Sequence, residues 1–300
     1  MAHGGKPPTK LFFEESVMKW VYVLPMFIFL LVVNIIPLLW TLGLSFYNYS
    51  MVFTKPGQLK FVGFENYSEL FSDPYYWERF RLLLIYVFVA VSLEFVIGVS
   101  LGFLFSSRSI RGARIFIPLM TMPMMIAPVT AGVFFRFLYE PTWGVINYFL
   151  HELFGIRILF LQDARYALIS VILADVWMWS PFIMLMTISA LQTVPPELME
   201  LAEIERIPLF MKLRYILFPY IRPFLILALL LRTIDAFKTF DLVVCMTWGG
   251  PGTATELLTI TLYREAFAFF HTGFASAIAI IFLVITIILT SIYITAMRRA

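Results

Sequence analysis

The sequence predicts an all-α integral membrane protein with six transmembrane helices and a charged cytoplasmic loop between spans four and five. Three observations predict it. The 300 residues are 61% hydrophobic and only 14% charged, a balance foreign to soluble domains of this length. Six apolar segments, at 21–46, 82–105, 115–139, 167–191, 223–246 and 269–296, are each long enough to cross about 30 Å of hydrocarbon as a helix. Lys and Arg are unevenly distributed between the segments that join them.

Residues 1–20 read as a cytoplasmic tail. The first span, Val21 to Phe46, is too long for a signal-peptide core and no small-residue cleavage pattern follows it, so it is expected to stay in the membrane. Helices are required throughout because lipid offers backbone N–H and C=O groups no partners. Pro25, Pro37, Pro118, Pro123 and Pro128 fall within or at the ends of spans and are expected to kink them. The segment 47–81 is too short to fold alone, and Pro56-Gly57 and Asp73-Pro74 mark turns in it.

With the N-terminus inside, 1–20, 106–114, 193–222 and 298–300 carry twelve Lys and Arg in 62 residues. The opposite pieces, 47–81, 140–166 and 247–268, carry seven in 84. This bias places both termini and the 193–222 loop in the cytoplasm. The loop's charges do not decide the matter, since without them the inside pieces hold eight in 32 residues.

Several chemistries are disfavoured. Cys245 is the lone cysteine, so no internal disulfide can form. His3, His151 and His271 fall near or beyond span ends and form no metal-ligand cluster. With no histidine well inside a span, a Ser-His or Cys-His intramembrane enzyme is not expected. No G-x-x-x-x-G-K-[ST] loop occurs, and Gly4-Gly5-Lys6 lacks the spacing. Neither a catalytic residue nor a metal site is therefore expected, and no nucleic-acid partner. Glu94, Arg136, Asp175, Arg232, Asp235, Lys238 and Asp241 lie inside or near the ends of spans, where a charge costs about 2.5–3.5 kcal/mol on insertion scales. Arg232, Asp235, Lys238 and Asp241 alternate in sign at i, i+3 spacing, close enough to pair along a stripe on span five. They are expected either to glue helices together or to line a wet path for a hydroxyl-rich solute. An ion-gradient-driven secondary transporter of a polar solute would carry intramembrane charges too.

The segment from Glu200 to Pro219, ELAEIERIPLFMKLRYILFP, resembles the coupling loop of bacterial ABC-importer permeases. Glu200 and Ala202 match its opening, and Ile216 and Pro219 its close. Leu201 stands where the family has Ala and Arg206 where it has Gly, a position suited to positive φ. Pro208 still disfavours helix at Ile207, so a turn near 206–208 is expected. Other stretches resemble the sugar-type permeases related to the membrane subunits of the maltose importer. These are Phe61-Val-Gly-Phe-Glu-Asn-Tyr67 with Asp73-Pro74 and Trp77; Ile117-Pro118, Ala127-Pro128, Arg136, Pro141, Gly144 and Ile146-Asn147; Asp175-Val-Trp177 with Pro181-Phe182; and Gly249-Gly250-Pro251 with Thr255.

The resemblance implies a coupling helix within 193–222, with Glu197, Glu200, Ala202, Glu205, Arg206, Pro208 and Pro219 facing or shaping an ATPase contact at 197–219. It implies a solute pathway at Met124, Asp175, Trp179, Phe182, Arg232, Asp235 and Thr239. Independently of it, the place of Glu94, Arg136, Lys238 and Asp241 in or near the spans leads to the expectation of a buried charge network. The implied partners are a second permease subunit forming a heterodimer, two copies of an ABC ATPase that use ATP and magnesium, an extracytoplasmic solute-binding protein and the lipid bilayer. This chain would bind no cofactor. The implied place is the cytoplasmic (inner) membrane, multi-pass, and the solute a carbohydrate or polyol.

Overall fold

The computed structural model describes residues 9–55, 59–106 and 112–298. His3, Gly4-Gly5-Lys6, Pro56-Gly57, Arg108, Arg111 and Arg299 lie outside the described residues. The chain divides into two compact units, one reaching to Glu69 and including Glu265–Ile280, the other Leu70–Arg264 with the residues from Ile281 onward.

In the first unit, α1 (Thr9–Leu30) and α2 (Ile36–Leu44) are joined by a π-helical stretch, Leu31–Ile35. Pro37 has no N–H to give the ladder and its ring crowds the carbonyl four residues back, so a locally widened turn relieves it. The combined helix Trp20–Leu44 is apolar all round and none of it is buried within the chain. Two short strands follow, β1 (Tyr47–Asn48) and β2 (Lys60–Phe61), paired antiparallel with Tyr47 opposite Phe61. Next comes α3 (Glu65–Ser72). The Phe61–Tyr67 stretch acts here as a clasp. Gly63 takes φ 59°, the buried Asn66 donates to the carbonyls of Ser45 and Tyr47 at 2.8 and 3.2 Å, and the Tyr67 hydroxyl lies 2.7 Å from Ser45 Oγ.

The second unit is built on three long helices, α4 (Pro74–Ser106), α8 (Ala164–Leu191) and α11 (Phe218–Phe237). Between α4 and α8 lie α5 (Ala113–Thr121), a 3-10 turn (Met122–Met125), α6 (Pro128–Leu138) and α7 (Val145–Phe154). Asp163 caps α8 by accepting from Arg165 N at 2.9 Å and from its guanidinium, contacts that hold the Asp163 carboxyl below the usual carboxylate range. After α8 come α9 (Pro196–Ile204), α10 (Leu209–Met211) and a π-helical stretch (Lys212–Leu217) that runs straight into α11. Pro219 stands to that stretch as Pro37 does to the first. Then follow α12 (Asp241–Met246) and α13 (Leu258–Tyr263); a π-helical stretch (Arg264–Ala268) and the first part of α14 (Thr272–Arg298) return to the first unit, and α14 belongs to the second from Ile281 onward.

Among the described residues five helices are long and apolar enough to cross a membrane, or six when α5 to α6 is counted as one broken span. The apolar run at 115–139 is therefore not one straight helix: its halves meet at 98°. The cause is local. Pro128 pushes Ala127 into extended backbone, ψ 140°, and Ile126 is extended as well. The helix expected at 223–246 is shifted too. It is continuous from Leu209 and stops at Phe237. Phe240 then leaves helical geometry at φ −140°, which lets α12 turn away and pack on α6. At that contact Gly132 has no room for a side chain, since a Cβ would meet Cys245 Cβ at 2.7 Å.

The closest packing is between α4 and α8. Gly98 and Gly102 lie one helical turn apart on one face of α4, a small-xxx-small seam that lets backbones approach. A Cβ at Gly98 would fall 2.5 Å from Ile183 Cβ and 2.8 Å from the Ser180 carbonyl; one at Gly102 would fall 2.5 Å from Thr187 Cβ. Gly98→Val is expected to destabilise the protein by about 1–3 kcal/mol, the usual cost of overpacking. Thermal unfolding of the purified protein in detergent checks this, and an unchanged transition would contradict the seam.

Candidate functional site

One turn beyond Gly98 on α4, Glu94 reaches the guanidinium of Arg232 on α11. Arg232 Nε donates to Glu94 Oε2 at 2.6 Å and Nη2 to Oε1 at 2.9 Å, a two-pronged contact. Nη2 also donates to Asp175 Oδ2 on α8. Nη1 donates to Asp235 Oδ2, one turn along α11, at 3.0 Å. Four of the five guanidinium N–H groups are thus engaged. Arg232, Glu94 and Asp175 are buried, whereas the Asp235 side chain is 55% exposed. The Trp179 ring lies 5.3 Å from the guanidinium carbon and is half-buried. The Tyr86 side chain, fully buried, neighbours Asp175 and Thr239, and its hydroxyl completes no hydrogen bond of ordinary geometry.

Asp175 sits about 17 Å along α8 from Ala164 and about 24 Å from Leu191 at 1.5 Å per residue, so the cluster is at mid-helix depth. A charge held there must be paired or face a wet surface. Its chemistry suits a hydroxyl-bearing ligand: Asp235 offers acceptor oxygens held in place by Arg232, and Trp179 offers an apolar face.

The residues singled out in the sequence separate into two groups. Asp175, Trp179, Arg232 and Asp235 come together, joined by Glu94. Phe182 shares a face of α8 with Asp175 and Trp179 at i, i+4, i+7 spacing and is half-buried. Met124 is half-buried in the 3-10 turn that packs on α8. Thr239 lies past the end of α11, its carbonyl accepting from Thr259 Oγ1 at 2.7 Å. Arg136, Lys238 and Asp241 do not belong to a buried network: all three are exposed, and they form no ion pair among the described residues. The i, i+3 stripe therefore stops at its first pair, because α11 ends before Lys238 and Asp241 begins another helix.

The polar segment after α8 folds as a short helix with a sharp stop. Arg206 takes φ 48°. Its N–H donates to the Glu203 carbonyl at 3.1 Å, and the Ile207 N–H donates back to Ala202 at 3.0 Å, a Schellman closure. The left-handed conformation expected of a Gly is thus adopted by Arg. Ala202 is buried, while Glu197, Glu200, Glu205 and Pro208 are exposed. Leu201, Ile204, Leu209 and Phe210 are exposed beside them, at 57, 78, 72 and 70%. Lys212 Nζ approaches Glu203 at 3.8 Å across the turn. Pro219 is exposed near the start of α11. The end of α8 is tied to the start of α11 by Ala190, Val194, Leu217, Ile221 and Leu225.

A second buried ion cluster was not anticipated. Glu256, 1% exposed, accepts from Arg79 Nη2 at 3.2 Å, from the Tyr75 hydroxyl at 3.1 Å and from Arg264 Nη1. Arg264 also donates to the Trp248 carbonyl at 2.9 Å. It fastens the Gly249-Gly250-Pro251 turn to the start of α4, and Thr255, fully buried, closes that turn through Thr247 Oγ1 at 2.6 Å. The partners are 177 positions apart for Arg79 and 8 for Arg264, so only the nearer pair is suggested by spacing. Tyr86 carried no charge to draw notice, but the Gly98-x-x-x-Gly102 spacing was visible and locates the α4–α8 seam beneath Glu94.

Arg232→Met would leave two buried carboxylates without their cation and is expected to cost about 3–5 kcal/mol. Replacing Glu94 by Gln and Asp175 by Asn in the same chain should restore most of that. Thermal stability of the three proteins checks it; equal loss in the single and triple variants would contradict the arrangement.

The family model described as "Binding-protein-dependent transport system inner membrane component" matches residues 94–299. The chain is 29% identical to the trehalose/maltose transport system permease protein MalF of Thermococcus litoralis, covering 97% of each chain. It is 31% identical to the sn-glycerol-3-phosphate transport system permease protein UgpA of Pectobacterium atrosepticum, covering 96% of each. The sulfoquinovosyl glycerol transport system permease protein SmoG of Agrobacterium fabrum is 30% identical, over 85% of this chain and 82% of that one. In fold, the chain is similar to a subunit in the crystal structure of a bacterial ABC transporter that imports alginate, with TM-score 0.83, 19% identity and coverage of 95% and 96%. An exposed polar segment between long apolar helices, a family model matched over most of the length and a relative 31% identical along nearly the whole chain lead to one assignment: the chain belongs to the binding-protein-dependent transport system inner membrane components.

Proposed function

We propose that this chain is the permease subunit of an ATP-driven importer that moves a carbohydrate or polyol across the cytoplasmic membrane. A solute-binding protein delivers the solute from outside. The spans alternate access around the cluster of Asp175, Trp179, Arg232 and Asp235, with Met124, Phe182 and Thr239 further along the path. A second permease completes the path, and two copies of a separate ABC ATPase use ATP and magnesium to drive it. Both termini lie in the cytoplasm of this multi-pass inner-membrane protein. The name of the relative from Thermococcus litoralis, a trehalose/maltose permease, supports a hydroxyl-rich solute.

The observation that carries the coupling role is α9 with its stop at Arg206. Glu197, Glu200 and Glu205 ring an apolar tip of Leu201, Ile204, Leu209 and Phe210 that is exposed between two long helices. An apolar helix tip with a charged rim suits insertion into a groove on a partner protein. The Schellman closure and the exposed Pro208 fix its angle, and the packed residues from Ala190 to Leu225 give it a firm base on α8 and α11. The ion-driven alternative gives this segment no task.

Glu200→Ala is expected to lower ATP-driven uptake about tenfold, a coupling loss of about 1.4 kcal/mol, while the complex still assembles. Arg206→Gly, which removes a left-handed Cβ at a cost of about 1 kcal/mol to the native chain, should preserve coupling and raise stability. Uptake into proteoliposomes holding the purified complex tests both. Unchanged uptake in Glu200→Ala, or uptake by this chain without an ATPase, would contradict the proposal.

A further inference from the structure

We propose that the pathway selects uncharged polyhydroxyl solutes and rejects anionic ones, and that Arg232 is a positioning residue, not a solute-binding cation. This rests on the reading of the Arg232 cluster as the solute site.

An arginine in a transport path invites the opposite view, in which it binds a phosphate or carboxylate. The geometry argues against it. Arg232 is 1% exposed, and its donors are taken by Glu94 on both prongs, by Asp175 and by Asp235. Displacing one of these by a solute anion would strip a buried carboxylate of its cation. One guanidinium also faces three carboxylates. Even with one of them protonated, the set stays negative. An incoming anion is therefore repelled in a setting where water screens poorly.

What the cluster does present is suited to neutral hydroxyls. Asp235 is the one carboxylate of the three that is exposed, and its Oδ2 is anchored to Arg232 Nη1 at 3.0 Å. The other oxygen can accept from a hydroxyl. The half-buried Trp179 ring supplies an apolar face for C–H groups.

The test uses the complete importer with its own binding protein, reconstituted in liposomes containing ATP. Uptake is measured for trehalose, maltose and sorbitol, and for the anions glycerol 3-phosphate, glucuronate and glucose 6-phosphate. Thermal shift of the binding protein with the same six compounds shows which are captured. The expected result is ATP-dependent uptake of captured neutral compounds and of no anion. Asp235→Asn and Trp179→Leu should each lower neutral uptake about tenfold at saturating binding protein, the weight of one charge-assisted hydrogen bond or one lost ring contact. Uptake of any anion at a rate comparable to a neutral sugar overturns the inference while leaving the importer itself intact. Full neutral uptake in both variants, with the complex assembled, overturns the roles of Asp235 and Trp179. No ATP-dependent uptake of any compound by an assembled complex removes the underlying site reading, and the selectivity with it.

Discussion

A single guanidinium shared among three helices is the constraint on which the rest of the second unit depends. Arg232 on α11 cannot be buried unless Glu94 on α4 and Asp175 on α8 arrive at the same depth. A buried ion group of this kind adds little net stability compared with a well-packed apolar core, but breaking it is expensive. It therefore acts chiefly to fix register. The Gly98 and Gly102 seam makes that register reachable, since without close backbones Glu94 could not lie beside α8. Charge pairing and small-residue packing are two halves of one arrangement.

Prolines and non-helical residues then divide the apolar chain where function needs corners. Pro128 separates α5 from α6, and Phe240 separates α11 from α12. Both breaks free short helices to meet each other at Gly132. Arg206 makes the third corner, this time at the polar segment. Between these corners α8 and α11 run unbroken from the exposed α9 region to the charged centre. Packing of Val194 and Leu217 near their shared base links their ends. In an importer, this gives a push on α9 a direct material route to Asp175 and Arg232.

The long helices were legible because hydrocarbon demands about 20 apolar residues in a row, and the chain supplies them. Pairing of Arg232 with Asp235 was legible because i, i+3 spacing on a helix is local. Lys238 and Asp241 were misjudged because the same spacing assumes a helix that in fact ends at Phe237, and neither residue there is Pro or Gly to announce the stop. The 98° break was only half legible: the prolines were plain, but whether they kink or break a helix depends on what packs around them. Glu94 and Glu256 could be seen as charges near or between apolar spans, yet their partners lie 138 and 177 positions away. Periodicity carries no information over that range. The Arg206 turn was the reverse case, where a family-like position carried a residue that seemed wrong and the backbone adopted the left-handed shape regardless.

The most direct measurement is cysteine accessibility in the assembled importer, in a Cys245→Ser background. Single substitutions Asp235→Cys, Trp179→Cys and Glu94→Cys would be treated with a membrane-impermeant thiol reagent, with and without solute-loaded binding protein. A water-exposed edge on an otherwise buried ion cluster predicts labelling at 235 and 179 that solute turnover alters, and none at 94. Labelling at 94 with none at 235 or 179 would show that the cluster faces the path the other way and would contradict the assignment of Asp235 and Trp179 to the solute.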